Sequence, residues 1–173
     1  MERKLLFITG FFGAPLLQIA QQLAEEHDLP LISLDEEIEK ADGRSVRRIC
    51  MMMGEHEYRN KEYEALKKLT ECALNGESEC SLEEAAGGET LRSGAVVLCG
   101  DGVLHDDMSR DLITSHQLVV VGGDMSCDEL WENAKTIEGS CHAFMHFGRE
   151  EEKRAAFDDL YERQRVLFTP YII

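Results

Sequence analysis

Residues 4–17 read KLLFITGFFGAPLL. Leu5–Ile8 form a continuous apolar run between Lys4 and Thr9, the pattern of a short strand buried on both faces. Gly10 and Gly13 then punctuate the chain. Pro15 opens a helical pattern, a favoured place because the first helical N–H has no partner inside the helix. Leu16, Ile19, Ala20, Leu23 and Ala24 continue it at helical spacing until it fades near His27-Asp28. The stretch is therefore a strand, a glycine-containing loop and a helix. The same alternation extends outward: strand 29–33, helix 35–40 stopped by Asp42-Gly43, helix 45–53, Gly54, and helix 55–74. After an insertion rich in Gly, Ser, Glu and Thr over 75–94, with Ser81 and Glu84 at capping-box spacing, come strand 95–99, the turn Gly100-Asp101-Gly102, and strand 118–121. Ser126 and Glu129 mark a helix over 127–134, residues 136–140 read as loop, and 149–165 is a charged helix. Strands alternating with helices predict an α/β three-layer sandwich around a parallel sheet, with ligands at the carboxyl ends of its strands. The positions of interest are then 10–17, 33–35 and 100–102.

The composition narrows the partners. The chain has 173 residues, enough to bury its own core, and one domain over 1–173 is expected. Eighteen Lys plus Arg against thirty-four Asp plus Glu give a net charge of −16, which repels phosphate backbones and anionic lipid. Neither nucleic acid nor a membrane is an expected partner. No stretch approaches the ~20 apolar residues of a membrane span, and no leader peptide is visible. Six cysteines without a C-x-x-C pair, two of them (Cys50 and Cys99) in apolar runs expected to bury them, predict reduced thiols and a cytoplasmic protein.

The order of these features resembles the shikimate kinase family. The likeness rests on Gly10, Gly13 and Ala14 after the first strand and on Gln22-Leu23-Ala24 in the helix. It continues through Asp35-Glu36-Glu37-Ile38-Glu39, Gly43, Gly54-Glu55, Tyr58-Arg59, Glu62, and Gly100 with Gly102. It covers most of the first 105 residues outside the insertion and thins beyond Leu118. The resemblance implies the P-loop kinase sheet. Because the chain stops at Ile173, the last edge strand is expected to be missing or reduced to a stub at 166–168 or 171–173. Residues 136–150 correspond to the family's lid.

The nucleotide loop is where the chain departs from the pattern. A phosphate-binding loop reads G-x-x-x-x-G-K-[ST]: backbone N–H groups cradle the phosphates, the lysine neutralises charge, and the hydroxyl holds magnesium. Gly10, Gly13 and Ala14 keep the frame, but Pro15 lacks an N–H, Leu16 brings no charge and Leu17 no metal ligand. Both leucines are expected to pack on the core. Ser33 replaces the first acid of the family's Asp-x-Asp, and 136–142 contains no arginine for a lid. From these losses no cofactor is expected, with Mg·ATP needed only by an active enzyme.

On the acceptor side, the resemblance implies that Asp35 contacts ring hydroxyls of a shikimate-like acid. Arg59 forks onto its carboxylate, Glu62 holds Arg59 in place, and Gly100 and Gly102 admit the ligand to the backbone. The residues themselves also allow an ordinary surface ion pair for Arg59 and Glu62, and a helix N-cap for Asp35. Asp101 places a carboxylate where an acid ligand would be repelled, and Gln164 stands where the family has a second arginine.

Other constellations carry less. Cys141, His142 and His146 lie close in sequence but lack a fourth ligand at standard spacing, so no metal is expected. His105-Asp106-Asp107 reads as a turn and helix cap, and Met51–Met53 as core filling. The expected function is a shikimate kinase-like protein with a defective nucleotide site, a non-catalytic sensor of a small carboxylic acid or a binder of a protein partner. The alternatives are an active ATP-dependent kinase of shikimate or a related small molecule with an unorthodox nucleotide site, and a structural interaction protein.

Overall fold

The computed structural model describes residues 4–75 and 94–172. The 75–94 insertion and its Ser81 cap therefore lie almost entirely outside the described residues. Four strands, β1 (Lys4–Gly10), β2 (Leu31–Ser33), β3 (Gly94–Leu98) and β4 (Gln117–Val121), form a sheet in the order β2-β3-β1-β4. Every pairing is parallel, with Leu6 opposite Val96 and Gln117, and Ile32 opposite Val97. Parallel neighbours need crossover connections, and the helices supply them. They are α1 (Leu16–His27), α2 (Leu34–Asp42), α3 (Val46–Met53), α4 (Glu55–Asn75), α5 (Asp107–Thr114), α6 (Cys127–Ala134) and α7 (Glu150–Phe168).

The central strands are buried on both faces, as their unbroken apolar runs require. Leu6, Ile8 and Val96 point to one side and meet Ala20 and Ala24 of α1. Leu5, Phe7, Ala95 and Val97 point to the other, into a larger core with Ile38, Ile49, Leu66, Ile113, Trp131 and Phe157 from the remaining helices. The result is the three-layer P-loop kinase architecture. Among the described residues there is no fifth strand: 166–168 finish α7 and Thr169–Tyr171 form a short 3-10 turn. Strand β2 is shorter than the pattern suggests, beginning at Leu31, after Pro30.

Two expectations need correction. Met51–Met53 are exposed rather than core, because α3 buries only Val46 and Ile49 and then stops at Gly54. Cys50 is half-buried at the edge of that face, whereas Cys99 is buried. The turn and helix cap read at His105-Asp106-Asp107 agree with the fold: Val103–His105 form a 3-10 turn, and Asp106 is the N-cap of α5, accepting from the Ser109 N–H at 2.8 Å. No helix among the described residues is long and apolar enough to cross a membrane.

Candidate active site

The carboxyl ends of β1, β2 and β3 open into one cavity of about 490 Å3, a size suited to a small ligand. Its two ends are the loop after β1 and the start of α2 with the first turns of α4.

The loop is bound tightly to the protein. Gly13 has φ +96°, and a side chain there would run into the Leu130 carbonyl, so only glycine permits the turn. Most loop donors are already used. Phe11 N–H donates to Val121 O at 3.0 Å, Ala14 N–H to Phe11 O at 2.9 Å and Leu16 N–H to Ala14 O at 2.8 Å. Phe12 N–H donates to the Gln164 side-chain oxygen at 3.0 Å. The N–H groups of Gly13, Leu17 and Gln18 have no acceptor among the described residues. Leu16 packs on the core as expected, but Leu17 is 53% exposed at the cavity wall. The loop thus offers a few free backbone donors at a helix N-terminus, which suit an anion. Its side chains supply neither a cation nor a metal-binding oxygen.

The acceptor end keeps its polar groups. Ser33, not Asp35, is the N-cap of α2, and accepts from the Glu36 N–H at 3.4 Å. Asp35 sits one residue inside the helix, lines the cavity, and accepts a hydrogen bond from the Tyr58 hydroxyl on Oδ1 at 2.6 Å. Burial raises the Asp35 carboxyl above its ordinary range despite Tyr58 and Arg59. Arg59 and Glu62 do not form a surface pair: they are 8% and 0% exposed. Arg59 Nη1 donates to Glu62 at 2.7 Å and Nη2 to the exposed Glu55 at 3.1 Å, with the guanidinium 4.7 Å from the Tyr58 ring centre. The glycines of the β3 turn make room for this cluster. A side chain at Gly102 would collide with the Arg59 guanidinium, and one at Gly100 would crowd Tyr58 and Glu62.

Asp101 is neutralised from within. Its Oδ2 lies 2.7 Å from His142 Nε2 and accepts from Gln164 Nε2 at 3.0 Å. Burial works against its charge, but His142, Arg59 and Gln164 outweigh burial and hold its carboxyl below the usual range. In return Asp101 overcomes the effect of burial on His142 and raises that imidazole. Gln164 therefore bridges the two ends, accepting from the loop at Phe12 and donating to Asp101. Sequence spacing carries no sign of these contacts. The Glu55–Arg59 pair, by contrast, has the i, i+4 spacing that a helix brings together.

Glu62 makes the site sensitive to pH. Burial pushes its carboxyl up to about 7, against the lowering effect of Arg59. The folded protein then keeps a proton that the unfolded chain, with its ordinary value of 4.5, has released. Stability attributable to this group falls as pH rises through that window. We expect urea unfolding to show a loss on the order of 1–3 kcal/mol between about pH 5 and about pH 7.5, and Glu62→Gln to remove most of it. His142, raised by Asp101, loses its contribution in the same direction and leaves a residual slope. An unchanged slope in Glu62→Gln would refute the assignment.

Comparison with known proteins bears on the whole arrangement. The sequence model described as "Shikimate kinase" matches residues 18–76, starting just past the loop. The bifunctional shikimate kinase/3-dehydroquinate synthase of Thermotoga maritima is 36% identical over 108 residues, 62% of this chain and 18% of that one. The shikimate kinase of Chlorobaculum tepidum is 33% identical over 119 residues, 69% of this chain and 52% of that one. The matches thus span about half, or less, of the length of these curated relatives. In structure, the chain is similar to shikimate kinase from Acinetobacter baumannii in complex with shikimate (TM-score 0.68, 17% identity, 95% of this chain and 79% of that one). It is also similar to the enzyme from Bacteroides thetaiotaomicron (TM-score 0.71, 17% identity, 96% and 82%). These matches correct the expectation that no cofactor is called for. The relatives are named as kinases, and a kinase reaction draws its phosphoryl group from a nucleoside triphosphate with magnesium. With its fold and these relatives in agreement, the chain belongs to the shikimate kinase family.

Proposed function

We propose that the protein is an ATP-dependent phosphotransferase acting on a hydroxyl of a small, shikimate-like carboxylic acid, with a nucleotide end that relies on backbone donors. The observation that carries this reading is the acceptor end. A buried arginine fixed by Glu62, the Asp35 carboxylate and a small-ligand cavity stand together in a chain whose relatives are shikimate kinases. Arg59 binds the acid's carboxylate, which takes the place of the exposed Glu55 on Nη2. Asp35 accepts a hydrogen bond from a ring hydroxyl, and its raised affinity for protons suits it to take that proton as the hydroxyl attacks. Asp101, held by His142 and Gln164, is kept from repelling the ligand as strongly as a free carboxylate would. When bound, Mg·ATP supplies the phosphoryl group; Gly13, Leu17 and Gln18 are the backbone donors at its end of the cavity.

A second reading, an acid-binding protein without turnover, is favoured by one specific feature. Pro15-Leu16-Leu17 lacks a donor, a cation and a metal ligand together. One experiment separates the two. Shikimate should raise the melting temperature in either case. With Mg·ATP added, the enzyme forms slow but enzyme-dependent shikimate phosphate and the binder forms none. Absence of any thermal shift with shikimate would sink both readings.

A further inference from the structure

We propose that the protein carries a zinc site at the rim of the cavity, made by Glu55, Cys141 and His142, with the Cys50 thiol beside it. Ligand atoms of Glu55, Cys141 and His142 lie within 4.8 Å of one another. The Cys50 thiol, on α3, lies beside that of Cys141. Three ligands of the types zinc prefers, one sulfur, one imidazole and one carboxylate, thus meet from two separate parts of the chain, with a second thiol next to them. Both thiols are free.

The surroundings of His142 strengthen the assignment. Asp101 engages its Nε2 at 2.7 Å, and Gln164 in turn fixes Asp101. That leaves Nδ1 for a metal, and a carboxylate on the far nitrogen of a zinc-bound histidine is the usual way to fix its ring and raise its basicity. The thiolate and the Glu55 carboxylate supply negative charge to a divalent ion, and the Arg59 guanidinium lies beside Glu55 at 3.1 Å. His146 is not part of the set, because its Nε2 is used by the Ser140 carbonyl at 2.7 Å. The third ligand comes instead from Glu55 on α4, which local spacing does not reveal. Three protein ligands leave the fourth position of a tetrahedral zinc open. The ion ties the strip around Ser140–His142 to the start of α4, across the cavity mouth.

The test uses the full chain, expressed without a metal-binding tag, reduced, loaded with excess zinc and passed over a chelating resin. Zinc content near one ion per chain is expected, and cobalt(II) in its place should show thiolate-to-metal charge-transfer absorption. Cys141→Ser should weaken zinc binding by roughly 100-fold or more, and Asp101→Asn by roughly 10–100-fold through His142. Glu55→Gln, at an exposed position, keeps the test independent of folding and should weaken binding by about 10-fold or more. These readouts need no turnover, so they stand apart from the proposed activity. Less than about a tenth of an ion per chain, a cobalt spectrum without thiolate bands, or unchanged affinity in Cys141→Ser would overturn the site. So would a reduced protein that refuses zinc while its oxidised form joins Cys50 to Cys141.

Discussion

Replacing Pro15-Leu16-Leu17 by Gly-Lys-Ser is expected to raise the rate of phosphoryl transfer to shikimate by roughly a thousandfold or more. The unmodified loop spends the N–H groups of Phe11, Phe12, Ala14 and Leu16 on protein acceptors and has none at Pro15. Whatever charge builds on the transferred group is met by a few backbone dipoles alone. A lysine at 16 adds a full cation, a serine at 17 adds an oxygen for magnesium, and a glycine at 15 returns one donor. Each such contact in a water-poor site is worth orders of magnitude in rate, which is why the triple variant carries a large expected effect. The cost is modest: Leu16 is only partly buried, so its loss removes about 1 kcal/mol of packing. A coupled assay at saturating acid measures the gain, and Leu16→Gln with Leu17→Ala, which adds neither cation nor metal ligand, serves as control. A folded triple variant no faster than the original would show that the loop does not face the phosphates, and the proposed activity would fall with it.

Much of this architecture is legible in the chain because it is local. The run from Leu5 to Ile8 is apolar at every position, and only a strand covered on both faces buries all of it. Proline at the head of α1 and the Ser126 cap before α6, whose hydrogen bond closes within three residues, mark helix starts, whereas the Ser33 and Ser45 caps of α2 and α3 show only in the fold. Arg59 and Glu62 are brought together by helical spacing alone. Their burial is another matter, since it depends on the β3 turn closing over them at Gly102. The contacts that organise the centre of the site are non-local. Gln164 reaches Asp101 across 63 residues and His142 reaches it across 41. No periodicity encodes such contacts, so Gln164 reads in sequence as a lost arginine and Asp101 as a repulsive intruder. In the fold they satisfy each other. Met51–Met53 fail for the opposite reason: apolar composition predicts burial, but an eight-residue helix has only one face to bury.

Arg59 is where stability and recognition are most strongly joined, and its substitution has the second large expected effect. Arg59→Ala leaves the Glu62 carboxyl fully buried without its partner, and breaking a buried pair in this way costs roughly 3–5 kcal/mol. A large drop in urea midpoint should follow, and the paired change Arg59→Met with Glu62→Leu should recover most of it, because two apolar groups leave no charge stranded. Arg59→Lys separates recognition from folding. It keeps a cation for Glu62 but loses the planar fork that spans two acceptors. Acid binding should then weaken by roughly 30-fold or more, the effect of removing one partner of a desolvated charge pair, while the melting temperature without ligand moves little. Nucleotide binding should not change, because the β1 loop and Arg59 belong to opposite ends of the cavity. If Arg59→Lys binds shikimate as the original does, the carboxylate is held elsewhere and the acceptor end has been misassigned. If it instead loses stability to the same extent as Arg59→Ala, the fork serves Glu55 and Glu62 rather than a ligand, and Arg59 is a structural residue of α4.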